Sequence, residues 1–390
     1  MLSAGIFVNK TKILQFSKFY PPAVGGIEQV VYDIVNNSTS DSLYNHDVLC
    51  FNHNIGKSDE VTVTENYKIM RMHTYKVVAS TPLSLSILFK FLRIKNDYDY
   101  IHFHVPNPIA TIASFFVKRN QYIVHWHSDI VKQKKLLFFF KPLQNIMLRR
   151  SAKIIVTSDK YGQESTQLKP FTNKIVTVPI GISTDKKPIN INLFQEIKSK
   201  HPNKKIIFSL GRLAYYKGFE YLIRSAEYLG DDVLIIIGGD GELKQELLDL
   251  IKQKNLEEKV KLVGRIGEND LSTYYSIADI FCMSSIEKSE AFGVVQLEAM
   301  LYGLPIVSTQ IAGSGVDWVN QNGVSGITVQ PKNEFELAEA FKKILADENL
   351  KNNFSTNAEK RLFEMFTIDK MCSELNDVYS GIVANRGSLE

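Results

Sequence analysis

Two glutamates lie eight residues apart, on either side of a Phe-Gly pair, in the segment SSIEKSEAFGVVQLEAMLYGLP (284–305). They are Glu290 and Glu298. The apolar residues that follow the Phe-Gly pair predict a helix that begins at about Phe292. A carboxylate accepts two hydrogen bonds, so either glutamate could bind a pair of hydroxyl groups. For either residue taken alone, a surface glutamate beside a helix is the simpler explanation.

The predicted helix start also offers unpaired backbone N–H groups. A helix leaves the amides of its first turn without internal partners, here those of Phe292, Gly293 and Val294. Such amides attract anions. Glu298 lies roughly two turns further along, on the face turned back toward the same ligand. The spacing therefore suits a sugar, a diphosphate and a nucleoside that lie across one helix N-terminus.

Two cations follow another predicted strand, in SLGRLAYYKGFEYL. The strand covers residues 206–210 and ends at Gly211, and Arg212 and Lys217 come before the next helix. Arg offers a planar fork of donors and Lys a point charge, so this pair suits a diphosphate. Two solvated charges near a helix start would explain the pattern equally well.

Glycine-rich turns precede two further predicted helices. In FYPPAVGGIEQVVYDIV, Gly25 and Gly26 come just before a helix that starts near Ile27, and free amides at such a start form an anion site. A plain loop with a glycine hinge is the alternative. The stretch IIIGGDGELKQELLDL is a tight strand–helix turn, and it lacks the spacing of the Rossmann dinucleotide fingerprint.

Histidines alternate along two predicted strands, IHFHV and VHWHSD, so that each pair shares one face of its strand. A metal site would need further ligands that the sequence does not offer. An Asp-x-Asp pattern at 97–99 precedes a strand, whereas ligands of open parallel sheets collect after strands. We therefore expect a solvated turn there, and neither a metal ion nor a cofactor. The four histidines are His102, His104, His125 and His127.

These candidate residues need strands and helices that hold them in place. Short apolar runs rich in β-branched residues alternate with amphipathic stretches along the whole chain, and the alternation restarts after about Pro188. This pattern predicts parallel sheets covered by helices on both faces. The fold class is therefore α/β, with two doubly wound Rossmann-like domains that face each other across a cleft. We place them at 1–185 and 186–366, followed by a closing helix at 367–386.

Composition and charge fit two globular domains. The 390 residues are 44% hydrophobic and 23% charged, and the three cysteines show no metal-like or paired spacing. Residues 1–185 hold 22 Lys and Arg against 13 Asp and Glu, and the remaining residues hold 24 against 29. A basic first half suggests an anionic partner. No nucleic-acid-binding motif is legible, so we do not expect nucleic acid. The sequence predicts no secretion signal and no membrane span.

Two segments of the first half interleave basic and apolar residues. They are 86–95 (SILFKFLRIK) and 132–153 (KQKKLLFFFKPLQNIMLRRSAK). Such segments can lie on an anionic membrane surface. A core helix with a basic outer face is an equally good explanation. Membrane contact would suit an acceptor linked to a polyprenyl diphosphate.

Taken together, these motifs resemble the family-4 retaining glycosyltransferases, which have the two-domain GT-B fold. The resemblance runs over the whole chain in the right order, through GGIE, GRLAYYKG, GGDGEL, EAFGVVQLE, LYGLPIVST and NGVSGITV. It implies that Arg212 and Lys217 hold the donor diphosphate and that Gly26 offers it an amide. Glu298 would bind the ribose. Glu290 and the amides of residues 292–294 would contact the transferred sugar or phosphate.

The resemblance also assigns three residues outside those motifs. Arg265 and Ile266, in VGRIGENDL, fall where the family's loop passes the nucleobase. His127 matches a histidine that family members carry near the donor sugar, whereas the other three histidines of the strand pairs are expected to be structural. The closing helix matches one that crosses back onto the N-terminal domain.

The expected activity is metal-independent transfer of a hexose, with retention, from a nucleotide-diphospho-sugar to a glycan or lipid-linked acceptor. The segments HWHSDIVKQ and GSGVDWVNQNGVSG most resemble transferases that use GDP-mannose or a related GDP-sugar in bacterial surface polysaccharide synthesis. A UDP-hexose is the runner-up as donor. A sugar-nucleotide epimerase and a non-catalytic nucleotide-binding subunit remain as alternatives. The expected location is the cytoplasm, with possible contact with the inner face of the cytoplasmic membrane.

Overall fold

The computed structural model describes residues 10–37, 43–78, 81–129 and 134–387. The chain forms two units, the first from Met1–Gly181 with Ile368–Glu390 and the second from Ile182–Thr367. The first division lies four residues before the predicted one at 185. Each unit is built on its own sheet.

Eight strands form the sheet of the first unit, in the order β10-β9-β8-β7-β1-β2-β4-β3. The strands of this sheet pair in parallel except for the edge strand β3, which is antiparallel to β4, and β5 and β6 form a separate antiparallel hairpin. The strands are β1 (Thr11–Phe16), β2 (Tyr44–Phe51), β3 (Glu60–Val63), β4 (Lys68–Met72), β5 (Lys76–Val78), β6 (Thr81–Leu83), β7 (Tyr100–Val105), β8 (Tyr122–Trp126), β9 (Lys153–Val156) and β10 (Ile175–Thr177).

Among the described residues, six α-helices belong to this unit, and five of them connect its strands. They are α1 (Gly26–Asn36), α2 (Ser86–Ile94), α3 (Pro108–Ser114), α4 (Lys134–Arg150), α5 (Asp159–Glu164) and α14 (Ile368–Gly387). The central strands β7 and β8 are buried at every residue, as expected of parallel strands covered on both faces. Helix α14 packs on this unit through Tyr379, whose hydroxyl lies 2.7 Å from Nδ1 of His102.

The second unit has a six-stranded, all-parallel sheet in the order β13-β12-β11-β14-β15-β16. The strands are β11 (Lys205–Leu210), β12 (Val233–Gly238), β13 (Val260–Gly264), β14 (Ile280–Met283), β15 (Ile306–Thr309) and β16 (Gly326–Val329). The helices are α6 (Ile191–Lys200), α7 (Phe219–Ser225), α8 (Lys244–Gln253), α9 (Glu268–Ile277), α10 (Val295–Leu301), α11 (Val316–Val319), α12 (Glu334–Ala346) and α13 (Glu348–Met365).

The strand order of this all-parallel sheet reverses between β11 and β14, where the chain turns from building one half of the sheet to building the other. Ligands of doubly wound sheets bind at such a switch point, outside the carboxyl ends of the strands. The loops that follow β11 and β14 therefore meet where a ligand is expected, and they carry Lys217 and Glu290.

Candidate active site

The loops after β11 and β14 are joined to each other by hydrogen bonds. The amide of Ile286 donates to the carbonyl of Tyr216 at 2.8 Å, and the hydroxyl of Ser284 donates to the carbonyl of Lys217 at 3.0 Å. Gly218 has a φ of 63°, and a Cβ there would lie 2.3 Å from the carbonyl oxygen of Ser284. Only glycine tolerates both the left-handed backbone and this approach. The two loops therefore act as one rigid support.

Lys217 and Glu290 form a buried ion pair on this support. The ammonium nitrogen lies 2.5 Å from Oε2 of Glu290, and the two side chains are 12% and 13% exposed. The hydroxyl of Ser285 donates to the same carboxylate at 3.2 Å. Burial on its own would lower the pKa of Lys217, but the Glu290 carboxylate and Tyr216 outweigh it and the pKa is raised. Lys217 is therefore a cation at neutral pH, held in one position.

Arg212 does not join this pair. Its side chain is 69% exposed, and Nη2 lies 2.9 Å from Oε2 of Glu242 in the GGDGEL turn. An exposed ion pair of this kind contributes little free energy, so an anionic ligand can replace Glu242 as the partner of Arg212. The two side chains predicted to bind the diphosphate, Arg212 and Lys217, are thus paired with different carboxylates.

Helix α10 begins three residues later than the sequence predicted. It covers Val295–Leu301, because Gly293 has a φ of 81°, which no right-handed helix includes. Phe292 is 3% exposed, and its ring packs against Trp318 and Phe366. Within the described part of the chain, no backbone acceptor is bonded to the amides of residues 292–294. The expectation of a helix start at Phe292 is therefore wrong, although these amides remain available.

Glu298 is held by a tyrosine that the motifs did not identify. The hydroxyl of Tyr275 donates to Oε2 of Glu298 at 2.7 Å, and Tyr302 stacks on Tyr275 with a centroid distance of 5.4 Å. Burial raises the pKa of Glu298, and the Tyr275 hydrogen bond opposes that shift. Tyr275 lies on α9, and no spacing in the sequence connects that helix with α10.

Three strand ends approach each other closely on the other side of β11. A Cβ at Gly239 would lie 1.8 Å from the carbonyl oxygen of Gly211, and the amide of Gly239 donates to the carbonyl of Gly264 at 2.7 Å. Ile266 packs over Gly238, and a Cβ at Gly238 would lie 2.4 Å from Cδ1 of Ile266. The predicted nucleobase loop, with Arg265 and Ile266, therefore follows β13 at the edge of this glycine cluster.

In the first unit, α1 begins at Gly26, with Gly25 as its N-cap residue. Among the residues that the structure describes, no side chain caps this helix start. The carboxylate of Glu28 turns back over it, since a Cβ at Gly25 would lie 2.1 Å from Oε2 of Glu28. A negatively charged group thus lies where the sequence predicted an anion site.

His127 follows β8 and is 7% exposed. Its Nε2 lies 3.0 Å from Nδ1 of His104. Burial, and then His125 and His102, lower the pKa of His127 well below its usual value, so the ring is neutral. The turn after it is fixed by Asp129, which accepts hydrogen bonds from Trp126, Tyr161 and Ser165.

Buried histidines also cluster more closely than the sequence indicated. Ring nitrogens of His102, His104 and His125 all lie within 4.8 Å of one another. The three rings are stacked, however, with interplanar angles of 10° to 29°. Imidazole lone pairs lie in the ring plane, so stacked rings do not direct them at one ion. This arrangement does not fit a preformed metal site.

Comparison with known proteins now identifies the family. Residues 24–186 match the family described as Glycosyltransferase Family 4, and residues 191–361 match the family described as Glycosyl transferases group 1. The chain belongs to these glycosyltransferases. The two matches cover both structural units and include the Lys217–Glu290 pair.

Relatives of this glycosyltransferase include a mannosyltransferase that is named for an O-antigen chain and a D-rhamnosyltransferase. It is 29% identical over 372 residues to O-antigen chain mannosyltransferase C of Escherichia coli, a match that covers 95% of this chain and 98% of the relative. It is 28% identical to D-rhamnosyltransferase WbpZ of Pseudomonas aeruginosa, over 91% of this chain and 92% of the relative.

Solved structures confirm the GT-B fold. Sucrose-phosphate synthase from Thermosynechococcus elongatus superimposes with a TM-score of 0.76 at 19% identity, over 96% of this chain and 100% of that chain. The Anabaena protein HepE in complex with UDP and glucose gives a TM-score of 0.73 at 19% identity, over 95% and 100%. At this identity the likeness concerns the fold.

Proposed function

We propose that this glycosyltransferase transfers a hexose from a nucleotide-diphospho-sugar with retention of configuration and without a metal ion. The observation that carries the proposal is the buried Lys217–Glu290 pair at the switch point of the second sheet. Transfer breaks the bond between the anomeric carbon and a phosphate oxygen, so negative charge grows on the leaving diphosphate. Lys217, the amides of residues 292–294 and Arg212 supply fixed positive potential for that charge.

Neither glutamate of the site needs to act as a nucleophile. Glu290 orients Lys217 and remains close to the transferred sugar, and Glu298 accepts hydrogen bonds from the ribose hydroxyls. The acceptor hydroxyl attacks from the face that the phosphate leaves, and a phosphate oxygen helps to take its proton. This division of roles follows the family resemblance of the motifs.

GDP-mannose or a related GDP-sugar is the donor that we favour. Two long matches support this choice, because their names specify a mannosyltransferase and a D-rhamnosyltransferase. A UDP-hexose is the alternative, since the HepE structure of the same fold contains UDP.

The proposed acceptor is a glycan or a polyprenyl-diphosphate-linked glycan in bacterial surface polysaccharide synthesis. A Campylobacter jejuni relative, 27% identical over 68% of this chain, is named for a diphospho-undecaprenol-linked substrate. In α2, Ile87 and Phe91 are fully buried while Phe89 is 62% exposed beside Lys90 and Arg93. This helix thus combines a core face with a basic, partly apolar outer face suited to an anionic membrane surface.

Segment 132–153 offers less support for membrane contact. Residues 132 and 133 lie outside the described part of the chain, and α4 covers most of the remainder. Among the described residues, no helix is long and apolar enough to cross a membrane.

Calorimetric titration tests the proposal directly. The protein would be titrated with GDP and with UDP in the presence of EDTA, and turnover would be measured with GDP-mannose. Binding of GDP in preference to UDP supports the favoured donor, and the reverse preference replaces it with a UDP-hexose. Binding of neither nucleotide would overturn the diphosphate site. Activity that EDTA abolishes and Mg²⁺ or Mn²⁺ restores would overturn metal independence.

A further inference from the structure

The loop between β15 and α11 is hydrogen-bonded to the turn that carries Glu290. The hydroxyl of Ser314 donates to the carbonyl of Glu290, and the amide of Gly315 donates to the carbonyl of Ala291 at 2.8 Å. Ser314 is 0% exposed, so water does not compete for its hydroxyl. The turn after β14 is therefore held from the end of β15 as well as from the loop after β11.

Gln296 holds the same turn from within α10. Its side-chain Nε2 donates to the carbonyls of Phe292 and Val316, each at 3.3 Å, and its backbone amide donates to the carbonyl of Gly293 at 2.9 Å. Carbonyl oxygens only accept, so the nitrogen of the side chain must face them. Gln296 is 0% exposed, and among the described residues its Oε1 atom has no hydrogen-bond partner. This buried side chain is therefore held in place by its donor alone.

These bonds determine where the backbone amides of the turn point. In a planar trans peptide unit, the C=O group and the N–H group of the next residue point in opposite directions. The carbonyls of residues 291, 292 and 293 all accept the bonds described above. The amides that follow them, those of residues 292–294, are therefore directed away from the atoms that hold the carbonyls. Contacts on one side of the turn thus fix the direction of the donors on the other side.

We propose that Gln296 and Ser314 are positioning residues that hold the amides of residues 292–294 in the direction of the donor diphosphate. This inference rests on the proposed function and deepens it, because it names the two buried side chains that preorganise the turn. Donors stabilise a developing charge best when their direction is fixed before the reaction. Loss of either side chain should therefore weaken the binding of phosphate groups and leave the binding of a neutral nucleoside intact.

Ser225 provides a matched control for Ser314. It lies in the same unit, at the end of α7, and is also 0% exposed. Its hydroxyl donates to a backbone carbonyl as well, that of Leu222 at 2.6 Å. Ser225→Ala and Ser314→Ala therefore remove the same kind of buried bond, but only the second bond reaches the turn after β14. A difference between the two variants separates positioning of the amides from a general loss of packing.

The first experiment observes the amides in the full-length protein, with inorganic pyrophosphate as the probe. In backbone amide NMR spectra of the wild type and of Ser225→Ala, saturating pyrophosphate should shift the resonances of residues 292–294. Gln296→Met and Ser314→Ala should reduce these shifts, since each removes a donor that holds a carbonyl of the turn. Ser314→Ala also covers the case in which Gln296→Met does not fold. Shifts of wild-type size in both variants, or no shift in the wild type, would overturn the inference.

The second experiment compares a nucleoside diphosphate with its neutral nucleoside by calorimetry, GDP with guanosine or UDP with uridine. Gln296→Met should weaken diphosphate binding about 3- to 10-fold, the loss of one hydrogen bond, and leave nucleoside binding unchanged. Ser225→Ala should change neither affinity. Equal weakening of both ligands in Gln296→Met, or no weakening, contradicts the positioning role. If the wild type binds neither GDP nor UDP, the proposed function fails, while the pyrophosphate spectra still decide the direction of the amides.

Discussion

Lys217 is the residue on which the proposed chemistry depends most. Its charge is buried, paired with Glu290 and directed by two loops that are bonded to each other. Removal of one partner of a buried pair also leaves an uncompensated charge, which costs stability. A test of Lys217 must therefore measure folding and turnover separately.

Lys217→Met should lower turnover about 100- to 1,000-fold, because it removes a preorganised charge from the leaving diphosphate while it keeps the aliphatic stem. Release of nucleoside diphosphate from the donor measures turnover, and urea unfolding measures stability. Lys254→Met is the control, since Lys254 pairs with Glu227 in the same unit at 3.1 Å but is the C-cap residue of α8. Turnover of Lys217→Met within a few-fold of wild type contradicts the assigned role.

Tyr275→Phe should weaken nucleotide binding about 3- to 10-fold, because the Glu298 carboxylate loses the hydroxyl that orients it. Calorimetry with GDP or UDP, whichever binds, measures the effect. The adjacent Tyr274 stacks on Phe208 and serves as the control through Tyr274→Phe. If both variants bind like the wild type, Tyr275 does not position Glu298.

At the residue scale, the motifs specify which side chains surround the switch point, but not their partners. Lys217 and Glu290 come together because both follow strands on one side of the sheet, which the alternating pattern predicts. Tyr275 reaches Glu298 only through the packing of α9 on α10, and Arg212 reaches Glu242 through the fold of a glycine turn. Such contacts depend on three-dimensional distances that spacing along the chain does not contain.

At the element scale, the buried central strands are the predictable part. β7 and β8 are continuous apolar runs, so their composition reveals them. β3 and the hairpin strand β5 are short and largely exposed, and nothing in their composition separates them from loops. The apolar pattern runs through Gly293 and so does not mark the start of α10. In the structure Gly293 has a φ of 81°, and a Cβ there would lie 2.6 Å from Sδ of Met283.

Helix α1 carries a carboxylate on its buried face, Asp33, which accepts a hydrogen bond from Gln29 at 2.9 Å. Burial raises the pKa of Asp33 to about 6, and the Gln29 bond opposes the shift. A folded-state pKa above the unfolded value favours folding at low pH. That contribution is lost as the pH rises through about 6.

Asp33→Asn should therefore stabilise the protein by about 1–2 kcal/mol at pH 8, with solvent screening allowed for, and by about a third of that at pH 4.5, where the unfolded carboxyl is already mostly ionised. Urea unfolding at the two pH values measures the difference. Asp249 on α8 is a matched control, because it accepts the same bond from Gln245 at 2.9 Å but is exposed. An equal effect of Asp249→Asn would contradict burial as the cause.

At the scale of the whole molecule, the buried histidines predict that the two units respond differently to acid. Five buried histidines lie in the first unit, and burial lowers the pKa of each, to about 4 for His46 and about 3 for His125. The histidines of the unfolded chain, whose pKa is about 6.5, therefore become protonated at a higher pH than the buried ones. The stability that depends on keeping these histidines neutral is fully present above the unfolded pKa and is lost as the pH falls below it.

The first unit should lose about 2.7 kcal/mol of stability per pH unit between pH 6 and 4 through His46 and His125 alone. Each unit contains one tryptophan, Trp126 in the first and Trp318 in the second. Fluorescence of Trp318→Phe during acid titration should report unfolding at a higher pH than fluorescence of Trp126→Phe. Coincident transitions would contradict selective acid lability, and His125→Phe should reduce the slope for the first unit.

Helix α14 also bears on when the first unit can fold. Tyr379 bonds to Gln15 and His102, and Tyr44 pairs with Ser380 at 2.7 Å, so α14 covers the polar face of a sheet whose strands are translated first. A growing polypeptide must therefore complete the second unit before the sheet of the first unit is closed. A ribosome that stops before Tyr379 releases a chain in which buried imidazoles face water, and that product should be a substrate for chaperones and proteases.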